Sequence, residues 1–240
     1  MMKKGFQFSS LVLIYASILL LLIFSAFAGS RAVTTFKETT PVNKRKCVVI
    51  DAGHGGVDGG ATSCTGVLES TINLEIALRL NDLMHLLGIE TVMIRTADVS
   101  IHTTGKTIAA KKVSDLKERV RIVNETENAI LISIHQNHYS DDRYSGAQVF
   151  YSPTSNSDIL AKTLQASMVS FLTPGSKRQA KKADGIFLMQ NIDCVGVLVE
   201  CGFLSNAEEE SKLRSADYQK KLCSIIASVA SLYLRNASVA

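Results

Sequence analysis

Tryptophan is absent from this 240-residue sequence, proline occurs only three times, and no two of its five cysteines are spaced C-x-x-C. Each scarcity removes a class. So little proline beside 46 % hydrophobic residues argues against a low-complexity or disordered chain and for a packed fold. Five cysteines cannot all pair within one chain, so no disulfide framework is expected. Cys47, Cys201 and Cys223 lie in apolar runs and read as small buried hydrophobes, whereas Cys64 falls in a loop near candidate ligands. A surplus of one charge sign is also lacking: 26 basic against 22 acidic residues give +4. Basic patches interleaved with aromatics are missing, which excludes nucleic acid as the expected partner and favours an anionic membrane surface or wall polymer. The runs Lys111-Lys112 and Lys177 to Lys182 read as solvated surface.

What is plentiful stands first in the chain. Lys3 and Lys4 precede an apolar stretch from Leu11 to Phe27, and Ala26-Phe27-Ala28 is a small-x-small pattern before Gly29. Residues 1–28 therefore read as a signal peptide or an N-terminal membrane anchor, and the protein is expected to be exported, either held at the membrane or secreted. The Thr-rich stretch 29–43 reads as a linker, and 44–240 as one folded domain.

Within that domain, Cys47 to Ile50 is a continuous apolar strand running into the glycine-rich DAGHGGVDGGA. Thr71 to Leu87 patterns as an amphipathic helix stopped by Gly88, and Glu90 to Ile94 as a strand. A surface loop is expected from Arg95 to Val113, then a helix capped by Ser114 or Asp115 and reaching Asn124. Strands follow at Ala129 to Ile134, Ala147 to Tyr151 and Val197 to Glu200, with helices at Asp158 to Leu172 and Ala216 to Arg235. Alternating strands and helices predict an α/β fold: a mainly parallel, twisted central sheet flanked by helices on both faces.

Four polar residues then stand out. His54 lies in the loop after the first strand, His135 closes AILISIH, Glu200 closes GVLVE, and Glu69 immediately precedes the first helix. Ligands in open α/β sheets gather outside the carboxyl ends of the strands, where three of these four sit. A carboxylate at the end of an apolar strand is costly to bury ionised, so Glu200 reads as paired, metal-bound or poised for proton transfer. Either histidine alone is as well explained by a structural hydrogen bond. Two histidines with a glutamate, however, form a set that zinc accepts, with a fourth position left for water. Glu75 competes with Glu69 but sits on a solvated helix face; His138 reads as exposed or substrate-facing, His85 as surface, and His102 has no role.

The order VIDAGHGGVDGGA, LESTINLEIALRL, LISIHQNH, VLVECGFLSNAEE resembles the zinc-dependent N-acetylmuramoyl-L-alanine amidases of the third amidase family. The resemblance implies a peptidoglycan hydrolase that cuts between the muramic lactyl group and L-alanine. It also implies one Zn2+ per chain, held by His54, Glu69 and His135, with Glu200 as the catalytic glutamate. Arg95, Arg119 and Asn124 match family positions and are read as structural. His138 departs from the family, many of whose members carry a small residue there. The compact architecture is similar to the sporulation-specific branch that acts on spore cortex in muramic δ-lactam formation, a role tied to germination. A ligand loop this rich in glycine, with only three protein ligands, further suggests a protein partner that activates or localises the enzyme. Two other readings remain at this stage: a non-catalytic peptidoglycan-binding module, and a zinc peptidase cutting within the stem peptide.

Overall fold

The computed structural model describes residues 46–236, so the calls for a signal peptide or anchor at 1–28 and a linker at 29–43 lie outside the described residues. Six strands, β1 (Cys47–Ala52), β2 (Thr91–Met93), β3 (Ala129–Asn137), β4 (Gln148–Tyr151), β5 (Lys181–Lys182) and β6 (Val195–Phe203), form one sheet in the order β2-β1-β3-β6-β4-β5. β2, β1, β3 and β6 run parallel to one another, β4 is antiparallel to β6, and β5 pairs parallel to β4. The mainly parallel sheet is thus as expected, with the direction reversed once. β1 is buried along its whole length, as a central strand covered on both faces must be, and its apolar run shows no alternation.

Helices α1 (Glu69–Leu86), α3 (Ser157–Leu172) and α6 (Ala216–Asn236) cover one face; α2 (Ile108–Glu125) and the short α4 (Phe187–Asn191) cover the other. The short α5 (Ala207–Leu213) follows β6. The first face buries Val48, Ile50, Ile132, Val197 and Val199 against Ile72, Ile76, Leu164 and Ile226, and the second buries Val49, Leu131 and Leu198 against Val123 and Leu188. Gly88, at φ +71°, supplies the left-handed residue that ends α1. Among the described residues no helix is long and apolar enough to cross a membrane.

Two expectations needed correction. α2 begins at Ile108, not at Ser114 or Asp115, because the hydroxyl of Thr107 caps it by accepting from the Ala110 N–H at 3.2 Å. Ser114 and Asp115 instead act from inside the helix: the Ser114 hydroxyl accepts from the Thr103 N–H, and the Asp115 carboxylate from the Ile101 N–H. The stretch expected as a surface loop from Arg95 therefore folds onto α2, and Arg95 itself is buried.

Candidate active site

β1 delivers the chain into a loop whose first requirement is space. A Cβ at Gly53 would stand 2.3 Å from the His135 ring, and one at Gly60 would stand 2.5 Å from Glu69 Oε2 and 2.7 Å from the His54 ring. Glycine at these two positions lets the imidazoles and the carboxylate close on each other. His54 adopts φ +61°, an uncommon conformation for a residue with a side chain and one typical of functional loops.

Buried groups beneath the loop hold it in place. Arg95 donates from Nε to the Ala52 carbonyl at 2.8 Å and from Nη2 to those of Gly53 and Ser70 at 3.0 and 2.8 Å. Arg119 donates from Nη2 to the His54 carbonyl at 2.7 Å while pairing through Nη1 with Asp51 and through Nε with Asp115. Burial works against the Asp51 charge, but the Arg119 guanidinium, the His135 ring and the Ser133 hydroxyl outweigh it and hold the carboxyl below its ordinary range. The structural reading of both arginines is thus given a mechanism: they fix the backbone that presents His54. Asn124 is structural at a distance, its side chain bonding the Asn191 carbonyl and the Asp193 N–H.

Glu69 is the first residue of α1 rather than a loop residue, and it is buried. Its Oε2 lies 3.2 Å from His54 Nε2 and its Oε1 3.0 Å from His135 Nδ1. Oε1 also accepts from the Gln136 N–H and Asn73 Nδ2, each at 3.1 Å, and Oε2 from the Ala61 N–H at 3.0 Å. Burial opposes ionisation here, yet these histidine contacts hold Glu69 well below the carboxylate range. The ligand atoms of His54, Glu69 and His135 all lie within 4.8 Å of one another. A tetrahedral zinc with bonds of about 2.0–2.1 Å keeps its ligands about 3.3 Å apart, and each histidine nitrogen stands near that distance from one of the two carboxylate oxygens, at 3.0 Å from Oε1 and 3.2 Å from Oε2. The donor set and its spacing therefore fit such an ion. Behind the set, His54 Nδ1 stands 3.0 Å from Asp58 Oδ2, which Lys112 Nζ approaches at 3.1 Å. A carboxylate in that position fixes the imidazole tautomer.

Glu200 lies opposite His135 in the parallel β3–β6 register. Its Oε2 is buried and has no hydrogen-bond partner among the described residues. Burial above all, with the nearby Glu69 carboxylate, pushes its pKa up to about 7 against the opposing pull of His135 and His54. A carboxyl group near neutrality can both take and return a proton. Beside His54 and His135 opens a cleft of about 280 Å³, walled by Lys112, Leu116, Ile186 and Phe187.

The structure thus brings together all four residues singled out in the sequence. It leaves out the competitors: Glu75 is exposed and accepts from Gln219, while His85 and His138 are exposed. Cys64 is exposed and outside the ligand cluster. Lys112, read as plain surface, faces the site through Asp58. Asp58, Asn73 and Gln136 went unnoticed in the sequence. Asp58 carried one usable signal, its place four residues after His54; Asn73, four after Glu69, could have been found from helix spacing.

A family profile described as N-acetylmuramoyl-L-alanine amidase matches residues 48–230. The germination-specific N-acetylmuramoyl-L-alanine amidase of Bacillus subtilis (strain 168) is 38 % identical over 183 residues, which cover 75 % of this chain and 76 % of that protein. Among solved structures, the CwlD amidase from Clostridioides difficile, in complex with the GerS lipoprotein, superposes with a TM-score of 0.76 at 34 % identity, covering 79 % of this chain and 98 % of that one. An N-acetylmuramoyl-L-alanine amidase from Clostridium difficile 630 gives 0.68 at 30 %, over 79 % and 97 %.

Proposed function

The chain belongs to the N-acetylmuramoyl-L-alanine amidase family of peptidoglycan hydrolases, and we propose that it works with one zinc ion bound by His54, Glu69 and His135 and with Glu200 as its catalytic acid–base. The observation that carries the assignment is the convergence of a His, Glu, His set at ligand spacing by the strand ends, beside a glutamate whose buried oxygen has no partner among the described residues. Zinc supplies a Lewis acid that makes water acidic near neutral pH and polarises a carbonyl oxygen. The protein's own residues do the rest. Asp58 keeps the His54 proton on Nδ1 and leaves Nε2 free to ligate, and Gly53 leaves room for the His135 ring. Glu200 takes the proton from the attacking water as the bond to the lactyl carbonyl carbon forms, then delivers it to the departing L-alanine nitrogen as the C–N bond breaks.

The test is Glu200→Ala. Turnover on peptidoglycan is expected to fall by about 10²–10⁴-fold, the usual worth of a positioned proton-transfer group, with zinc content unchanged by atomic emission. Near-normal hydrolysis would refute the assignment.

The similarity to a germination-specific amidase supports a role on spore cortex, where stem-peptide removal precedes muramic δ-lactam formation. The similar amidase solved with a lipoprotein supports a protein partner for this chain as well, one that activates or localises it. Export through residues 1–28 belongs to the same reading and puts the enzyme where its substrate is. Tight zinc binding and full activity of the isolated full-length protein would remove the need for the partner.

A further inference from the structure

Where the strands bearing His135 and Glu200 end, the chain builds a ladder of rings that the amidase chemistry does not use. Asn137 and Phe203 are register partners at those ends, and Phe203 lies three residues past Glu200, about 10 Å along a strand. Tyr144 packs on Phe203 with ring centroids 6.2 Å apart, and Tyr139 meets Tyr144 edge-on at 4.8 Å. The Arg178 guanidinium closes the inner end, 5.0 Å over the Phe203 ring. Phe203 is buried, but Tyr139 and Tyr144 are 51 % and 48 % exposed.

This loop is held in place. The Tyr139 N–H donates to the Ser205 hydroxyl at 3.2 Å, Asn206 Nδ2 to the Asp142 carbonyl at 2.7 Å, and the Gly146 N–H to Glu209 Oε1 at 2.8 Å. Two exposed rings on a pinned loop that leaves the strand bearing His135, Tyr139 only four residues beyond it, do more than fill a core.

We propose that Tyr139 and Tyr144 form a subsite for the glycan strand, on which a pyranose ring of the N-acetylglucosamine–N-acetylmuramic acid polymer stacks. The inference rests on the amidase reading, which makes the substrate a sugar chain joined to a peptide at the bond that is cut. A pyranose ring offers a face of polarised C–H bonds to the electron-rich face of an aromatic ring. Its hydroxyl and acetamido edges would meet the exposed polar residues that flank the tyrosines in sequence, His138, Asp142 and Arg143. The cleft beside His54 and His135 is different in kind: Lys112 with Leu116, Ile186 and Phe187 suits a peptide that carries apolar side chains and carboxylates. Sugar to the tyrosines and peptide to the cleft gives the substrate one direction across Glu200.

The test is calorimetric titration of full-length protein with peptide-free glycan strands, a ligand that lacks the lactyl–alanine amide. Wild-type protein is expected to bind, and Tyr139→Ala/Tyr144→Ala to bind about tenfold more weakly, the scale of two lost stacking contacts. Tyr139→Phe/Tyr144→Phe keeps the rings and is expected to bind like wild type. If the alanine pair lowers the thermal midpoint, Tyr139→Ala alone, which spares the Tyr144–Phe203 packing, is expected to lose about threefold. A wild-type protein that ignores the glycan, or alanine variants that bind it equally well, would overturn the subsite. Failure of the amidase reading shows elsewhere, as wild-type protein that releases no peptide from peptidoglycan.

Discussion

Gly53 and His135 are matched residue to residue: the missing Cβ of one is the space occupied by the ring of the other. Gly53→Ala is therefore expected to push the His135 ring off its position and to weaken zinc binding at least tenfold, since ligand placement errors of about 1 Å are costly. Competition with a chromogenic chelator measures it; unchanged affinity would show that the ring has room to move. Asp58→Asn changes only the group behind His54 Nδ1 and should weaken zinc binding by about 10–100-fold, the range for such supporting carboxylates. The same titration reads it, with near-normal folding expected because Asp58 is partly exposed. At this scale the sequence was legible where chemistry forces a residue type. A lone histidine among glycines and a glutamate closing an apolar strand pointed to His54 and Glu200. Asp58, Asn73 and Gln136 were less legible, because polar residues in a loop, helix or strand end are common and only the folded geometry brings Asp58 and Asn73 to a ligand and the Gln136 side chain to Asn73.

β1 and α2 are joined below the site by the buried pair of Arg119 with Asp51, and Asp115, one turn earlier on α2, braces the same guanidinium. Removing one partner strands a charge, so Arg119→Met is expected to cost about 3–5 kcal/mol in urea unfolding. The pH dependence has a definite sign. The Asp51 carboxyl is held below its ordinary value in the folded protein, so its contribution is full above its unfolded pKa of about 3.9 and is lost as pH falls through the folded value. Asp51→Asn should therefore differ from wild type in urea midpoint at pH 7, with the difference shrinking below about pH 4. A gap that is constant with pH would mean that the Asp51 charge is not what stabilises the fold. The same element shows why α2 was misplaced in the sequence. Ser114 and Asp115 look like cap residues, but Thr107 does the capping and the other two are turned inward to bind the preceding segment. β5 is two lysines long, and α4 and α5 have five and seven residues, too short for any hydrophobic period to register.

For the whole molecule, the sheet was readable because central parallel strands are continuous apolar runs and helices alternate with them. The reversal at β4 was not, since strand direction leaves no local trace. A ligand that binds only the folded state stabilises it in proportion to its occupancy, by about 2.7 kcal/mol at a hundredfold excess over Kd. Chelation should accordingly lower the thermal midpoint of wild-type protein, and His54→Ala should abolish that response. A His54→Ala protein that still loses stability on chelation would place the metal elsewhere.

The most direct measurement is mass spectrometry of the products when zinc-loaded full-length protein digests purified peptidoglycan beside Glu200→Ala. The account predicts free stem peptides beginning with L-alanine, absent with a variant that still holds zinc. Fragments cut within the stem peptide, or equal products from both proteins, would contradict it.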